Sequence, residues 1–211
     1  MLITTSIETG VALITLNRPH KRNAMTSAMA AELRAAIEST AEARVLVLAA
    51  NGPAICAGAD LAELDACEDF PKLLNDLSPV YLGDLPVPFI AAIQGPAVGL
   101  GLIIALQADL RFASTDATFE APFAKRGLPA EYDTAERLVQ LVGPGHAADL
   151  LLTARRVSAA EALSMGLVNH VYSPQDLLAK ALEQARAIAQ LSPVSLNAIK
   201  QQLASIRRVL H

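Results

Sequence analysis

The stretch 94–114, QGPAVGLGLIIALQADLRFAS, together with 55–61, ICAGADL, decides the fold. Each reads as a short strand that passes through small residues into a helix, which leaves backbone N–H groups bare at the helix start. Such groups are oriented donors for an anion or a developing oxyanion. Two turns of this kind in one chain predict a site made largely of main chain.

Around these turns the chain alternates. Residues 2–8 and 11–17 flank Thr9-Gly10 and predict a β-hairpin. Residues 25–40 have helical spacing and composition, and 45–50 is a short apolar run suited to a buried strand. A strand over 89–94, a helix over 98–107 and a strand over 110–113 continue the alternation, which predicts an α/β fold with at least part of its sheet parallel. Beyond Asp133 the pattern becomes helical, with helices predicted over 134–142, 145–153, 158–165, 174–190 and 193–209. Gly143-Pro144, Gly166 and Ser192-Pro193 punctuate them. Ser158 and Glu161 have the spacing of a capping box, and Asp133 is the expected N-cap of the first helix. The expected organisation is one structural unit with an α/β core over 1–133 and a helical region over 134–211. Residues 71–88 are the expected mobile segment.

Composition narrows the function classes. Apolar residues make up 53% of 211 and the mean hydropathy is +0.36. The most apolar region, 85–106, is interrupted by Pro86, Pro88, Gln94, Gly95, Pro96, Gly99 and Gly101, so no membrane span is expected. The N-terminal residues show no targeting pattern, and a cytoplasmic location is the default. A net charge of −4 with scattered Lys and Arg argues against nucleic acid as a partner. Cys56 and Cys67 suit a reducing compartment, with Cys56 expected as a small buried hydrophobe. The histidines His20, His146, His170 and His211 lack ligand spacing, so no metal site is expected. Gly99-x-Gly101 lacks the third glycine of a dinucleotide loop, which argues against NAD.

Five blocks, taken in order, resemble the crotonase superfamily, the enoyl-CoA hydratase/isomerase fold. They are LITLNRPHKRNAM (13–25), AICAGADL (54–61), the 94–114 stretch, TFEAPFAKRGL (118–128) and SAAEALSMGLVNHV (158–171). The resemblance implies a crotonase-like ββα spiral core with helices at the C-terminal end, a shorter C-terminal region than relatives carry, and assembly as a homotrimer or hexamer. It implies an acyl-CoA thioester as ligand, with coenzyme A part of the substrate and no separate cofactor. The thioester oxygen would lie between the N–H groups of Ala59 and Leu100, and Leu100 stands where many relatives have glycine. Contacts to the CoA portion would come from Lys21, Arg22, Ala24, Ala57, Gly58, Ala59, Asp60, Leu61 and Gly99. Asp60 also suits the N-cap of the following helix, and Asp109 with Arg111 a structural role.

Reaction type turns on side chains. The two glutamates of the family's hydratases map to Ile103 and Phe123, an apolar pair unable to activate water. A lysine that many hydratases carry near the phosphates is Ala62 here. Glu131 falls where isomerases of the family carry a glutamate and could move a proton between two carbons of the acyl chain. Apolar walls such as Phe123 and Ile103 would raise its pKa. The leading expectation is an enoyl-CoA isomerase with Glu131 as proton shuttle. The alternatives are a non-catalytic acyl-CoA-binding homologue and a hydratase with a single carboxylate.

Overall fold

The computed structural model describes residues 1–209, with side chains through residue 205. The Thr9-Gly10 turn joins β1 (Ile3–Glu8) and β2 (Val11–Leu16) antiparallel, with both turn residues at positive φ. The chain continues through α1 (Ser27–Ser39), β3 (Val45–Ala50), α2 (Leu61–Asp65), α3 (Phe70–Leu77), β4 (Phe89–Ile93), β5 (Pro96–Val98), α4 (Leu100–Gln107), β6 (Leu110–Ser114) and β7 (Thr118–Glu120). It ends with α5 (Thr134–Thr153), β8 (Val157–Ser158), α6 (Ala159–Ser164), β9 (His170–Tyr172), α7 (Leu177–Ala189) and α8 (Pro193–Val209). The main sheet has the order β1-β2-β3-β4-β6-β9, parallel beyond the hairpin. A second sheet, β5-β7-β8, stands apart from it. The mixed α/β architecture agrees with the sequence expectation.

Alternation on β3 explains why the main sheet is covered on both faces. Val45, Val47 and Ala49 face one way with Ile90, Ala92 and Phe112, against Leu177, Ala181, Ala185 and Ala189 of α7. The alanines recur every fourth residue, one face of a helix, and their small size lets the helix lie close to the strands. Leu46 and Leu48 face the other way, into the larger core with Phe89, Ala91, Ile93 and α4. All eight residues of α4 are buried. Among the described residues, no helix is long and apolar enough to cross a membrane, and no cluster of three or more metal-ligating side chains occurs.

Several local expectations change. The C-terminal third is not purely helical: β8 and β9 pair into the small and main sheets respectively. Residues 134–153, by contrast, keep the expected division into two helices, broken where Gly143 takes the non-helical φ 77° and ψ 164° next to Pro144. Asp133 precedes α5 without a side-chain capping bond. Its carboxylate is held instead by Arg137 and by the buried Gln107 amide, 2.9 Å away, and these charged and amide donors take the oxygens that would cap. The capping box at α6 is half formed: Ser158 accepts the Glu161 N–H at 3.3 Å, while the Glu161 carboxylate pairs with Arg155. The stretch expected to be mobile carries α3, capped by Asp69, and a 3-10 turn over Val80–Asp84, with Leu73, Leu77 and Leu82 buried.

The loop between β2 and α1 is anchored by Asn23, which is fully buried at φ 54°. Its Oδ1 accepts the Arg18 N–H at 2.7 Å, and its Nδ2 donates to the carbonyls of Asn51 and Ala54 at 2.9 and 2.8 Å. An aspartate would keep the acceptor but turn both donations into carboxylate-to-carbonyl repulsion. Asn23→Asp is therefore expected to lower stability by about 1–3 kcal/mol, the usual cost of buried polar groups left unpaired, measured by the denaturant midpoint.

Candidate active site

Two glycine-rich turns meet through a single parallel bridge, Cys56 to Ala97. The Cys56 N–H donates to the Pro96 carbonyl at 3.4 Å, and the Val98 N–H donates to the Cys56 carbonyl at 3.1 Å. Each chain then turns through a glycine at positive φ, Gly58 at 106° and Gly99 at 52°. Gly101 sits so close beneath Cys56 that a Cβ there would lie 2.1 Å from the Cys56 carbonyl oxygen. Cys56 is fully buried, as expected, and burial pushes its thiol pKa up to about 11.

Three residues beyond the bridged pair lie Ala59 and Leu100. Their N–H groups belong to peptide units whose carbonyls are already engaged: Gly58 accepts from the Met25 N–H at 2.8 Å, and Gly99 accepts from the Ile103 N–H at 2.9 Å. A trans peptide points its N–H opposite its C=O, so engaging the carbonyl fixes the direction of the donor. Among the described residues neither N–H meets an acceptor. Both residues line one cavity of about 410 Å³.

The cavity wall is mostly apolar. Leu61 and Leu64 of α2, Leu74 and Leu77 of α3, Val98, Phe123 and Leu128 contribute, alongside Ala57, Gly58 and Gly99. Phe123 lines the cavity as expected, whereas Ile103 is fully buried in the core and does not. Glu131 lies on the same wall, half-buried, and burial raises its pKa above the usual carboxylate value. Among the described residues its carboxylate has no hydrogen bond or ion pair. The adjacent Tyr132 turns at φ 54°, and its hydroxyl donates to the Leu74 carbonyl at 2.7 Å, tying the Glu131 loop to α3. Burial, with the neighbouring Glu131 charge, raises the Tyr132 phenol.

A second carboxylate of the cavity, Glu120, went unrecognised in the sequence. Its carbonyl accepts the Gly99 N–H at 3.0 Å, which sets it under the second turn. Its carboxylate pairs with Lys125 at 2.9 Å and Arg156 at 3.2 Å. Burial works against ionisation there, but the two cations outweigh it and hold the pKa below the usual value. Three residues carry no readable period in the sequence; it is the folded strand β7 that puts Phe119 in the core and Glu120 beside it on the opposite face.

Other expected residues lie apart from the cavity. Lys21 and Arg22 are exposed on the turn over Pro19–Lys21 and do not line it; the Arg22 carbonyl accepts the Ala57 N–H at 3.0 Å. The Ala24 carbonyl accepts from Arg18 at 2.9 Å. Asp60 caps α2 as expected, with Oδ1 accepting the N–H groups of Ala62 and Glu63. The Arg18 guanidinium holds its carboxyl below the usual range, against the effect of burial. Asp109 accepts the Phe89 N–H and pairs with Lys200, while Arg111 donates to the Leu167 carbonyl, a structural placement for both.

Residues 6–208 match the family model described as enoyl-CoA hydratase/isomerase. A probable enoyl-CoA hydratase, echA6, of Mycobacterium leprae is 38% identical over 200 residues, covering 92% of this chain and 79% of that protein. The 2,3-dehydroadipyl-CoA hydratase of Escherichia coli K12 is 36% identical over 206 residues, covering 94% and 80%. The crystal structure of an enoyl-CoA hydratase from Bacillus anthracis superposes with a TM-score of 0.93 at 30% identity, over 97% of this chain and 83% of that one. With its paired glycine turns and the match running nearly end to end, the chain belongs to the enoyl-CoA hydratase/isomerase family, the crotonase group.

Proposed function

We propose that the protein binds an acyl-CoA thioester and shifts the double bond of an enoyl-CoA, with Glu131 as the proton shuttle. The observation that carries this reading is the unpaired, half-buried Glu131 carboxylate on the wall lined by Ala59 and Leu100. With a 3-enoyl thioester, ionised Glu131 takes a proton from C2. The electron pair moves into a dienolate whose oxygen accepts from the two N–H groups, and the same carboxyl returns the proton to C4, leaving the double bond between C2 and C3. A carboxylate with a raised pKa is a stronger base for the first step, and preorganised donors stabilise charge where it develops.

A second reading, hydration, rests on Glu120. The relatives named above are hydratases, and the cavity holds a second carboxylate despite the apolar Ile103 and Phe123. Oppositely shifted pKa values suit an acid and a base acting together. In this reading ionised Glu120 takes one proton from the water whose oxygen adds at C3, and protonated Glu131 supplies the proton to C2, so the two carboxyls end with their protonation exchanged.

Glu131→Gln is expected to lower double-bond isomerisation by about 10²-fold or more while leaving acyl-CoA affinity within a few-fold, read by steady-state kinetics and calorimetry. Glu120→Gln separates the readings: isomerisation in oxygen-18 water persists without label, whereas hydration puts oxygen-18 at C3 and falls in this variant. Thioester binding with no turnover of 2-enoyl or 3-enoyl substrates overturns both and leaves a binding protein.

The raised pKa of Glu131 also has a stability signature. A carboxyl that holds its proton more tightly when folded makes folding less favourable as pH rises from the usual carboxylate value through the raised one. Glu131→Gln is expected to match the parent at acid pH below that window, to gain a higher thermal midpoint across it, and to keep the gain at neutral pH.

A further inference from the structure

The Ala59 N–H is aimed by a short backbone bridge, with the buried Cys56 thiol adding a weak donation to the same Gly58 carbonyl at 3.6 Å. The Met25 N–H donates to the Gly58 carbonyl and the Asp60 N–H donates to the Met25 carbonyl, both at 2.8 Å, in an isolated parallel pairing outside either sheet. The same two segments are joined once more, where the Ala57 N–H donates to the Arg22 carbonyl at 3.0 Å, but no regular ladder extends past Asp60, so that side of the Gly58–Ala59 peptide plane depends on what holds Asp60.

We propose that Arg18 is a positioning residue for the Ala59 N–H. One guanidinium nitrogen, Nη1, donates to the Ala24 carbonyl at 2.9 Å and to Oδ2 of Asp60 at 2.6 Å. It therefore grips the residue before Met25 and the residue after Ala59, closing both ends of the bridge. The side chains of Arg18 and Asp60 are only 16% and 11% exposed, so water competes little for the pair. Asp60 divides its oxygens: Oδ1 caps α2 and Oδ2 takes the guanidinium. Arg18 is itself fixed at the main chain, where its N–H donates to Asn23 Oδ1 and its carbonyl accepts the Asn23 N–H at 3.0 Å. The arginine touches no part of the cavity. Its effect on the thioester oxygen is transmitted through Met25 and Asp60, and it rests on the reading that Ala59 and Leu100 hold that oxygen.

The test uses hexanoyl-CoA, saturated and so with no double bond to shift or hydrate, labelled with carbon-13 at the thioester carbonyl. Difference infrared spectra report how far the carbonyl stretch moves to lower frequency on binding. The parent is expected to show a clear downward shift. Arg18→Gln is expected to lose at least half of it while still binding, and Arg18→Lys, whose ammonium can donate to both acceptors, to recover part. With a 3-enoyl substrate, Arg18→Gln should lower kcat about 10- to 100-fold with KM within about three-fold, the scale expected when a catalytic group is misplaced. If Arg18→Gln does not fold, Asp60→Asn, which keeps an oxygen for the cap but loses the charge, is read in the same way. A full downward shift in a folded, ligand-bound Arg18→Gln or Asp60→Asn overturns the proposal. A parent that binds the thioester with no shift overturns the assignment of Ala59 and Leu100, and the positioning role with it.

Discussion

The contact on which the site depends is the approach of Gly101 to the Cys56 carbonyl. Only a residue without Cβ fits where the oxygen would be 2.1 Å from that atom. The contact lets Cys56 and Ala97 pair, and their pairing sets Ala59 and Leu100 at matching offsets on two chains that come from distant parts of the sequence. A side chain at 101 would push the turns apart and separate the two donors, without altering either donor chemically. Main chain is well suited to this task because a peptide plane has no rotamers to freeze.

Around that contact the larger fold acts as a support. The parallel strands β3, β4 and β6 deliver their ends to the same side, where ligands of open parallel sheets commonly bind. The fully buried α4 carries its first N–H groups to the cavity while burying every one of its side chains. Charge is distributed unevenly about the pocket. Glu120 is neutralised by two cations, and Glu131 has none. Two carboxylates of the same intrinsic chemistry thus come to different proton affinities through their neighbours alone.

The turns and long elements were legible because small residues and hydrophobic period are local signals. The hairpin, α1, β3, β4, α4 and β6 lie where the residue pattern places them, and Ala59, Leu100 and Glu131 come together on one cavity. The strands β7, β8 and β9 were not legible because two or three residues are too few to show a period, and their pairing is set by partners far along the chain. Glu120 was hidden for the same reason: its place depends on β7 lying beside β5. Asp133 looked like a cap because its sequence neighbours suggest one, whereas Gln107 decides its partners from another helix. In the segment 18–23 the resemblance implied ligand contacts for Lys21 and Arg22, while the buried work there is done by Arg18 and Asn23.

The hydroxyl of Tyr132 joins the loop bearing Glu131 to the carbonyl of Leu74, whose helix forms part of the apolar wall. If Glu131 moves a proton as proposed, that hydrogen bond would be a mechanical linkage between ligand size and proton transfer. A bulky chain that drives α3 outward must either break the bond or draw Glu131 with it. On that reading the pocket would have a gauge built into its wall: accommodating a larger guest would change the reach of Glu131, so shape selection and reactivity would be adjusted by one displacement.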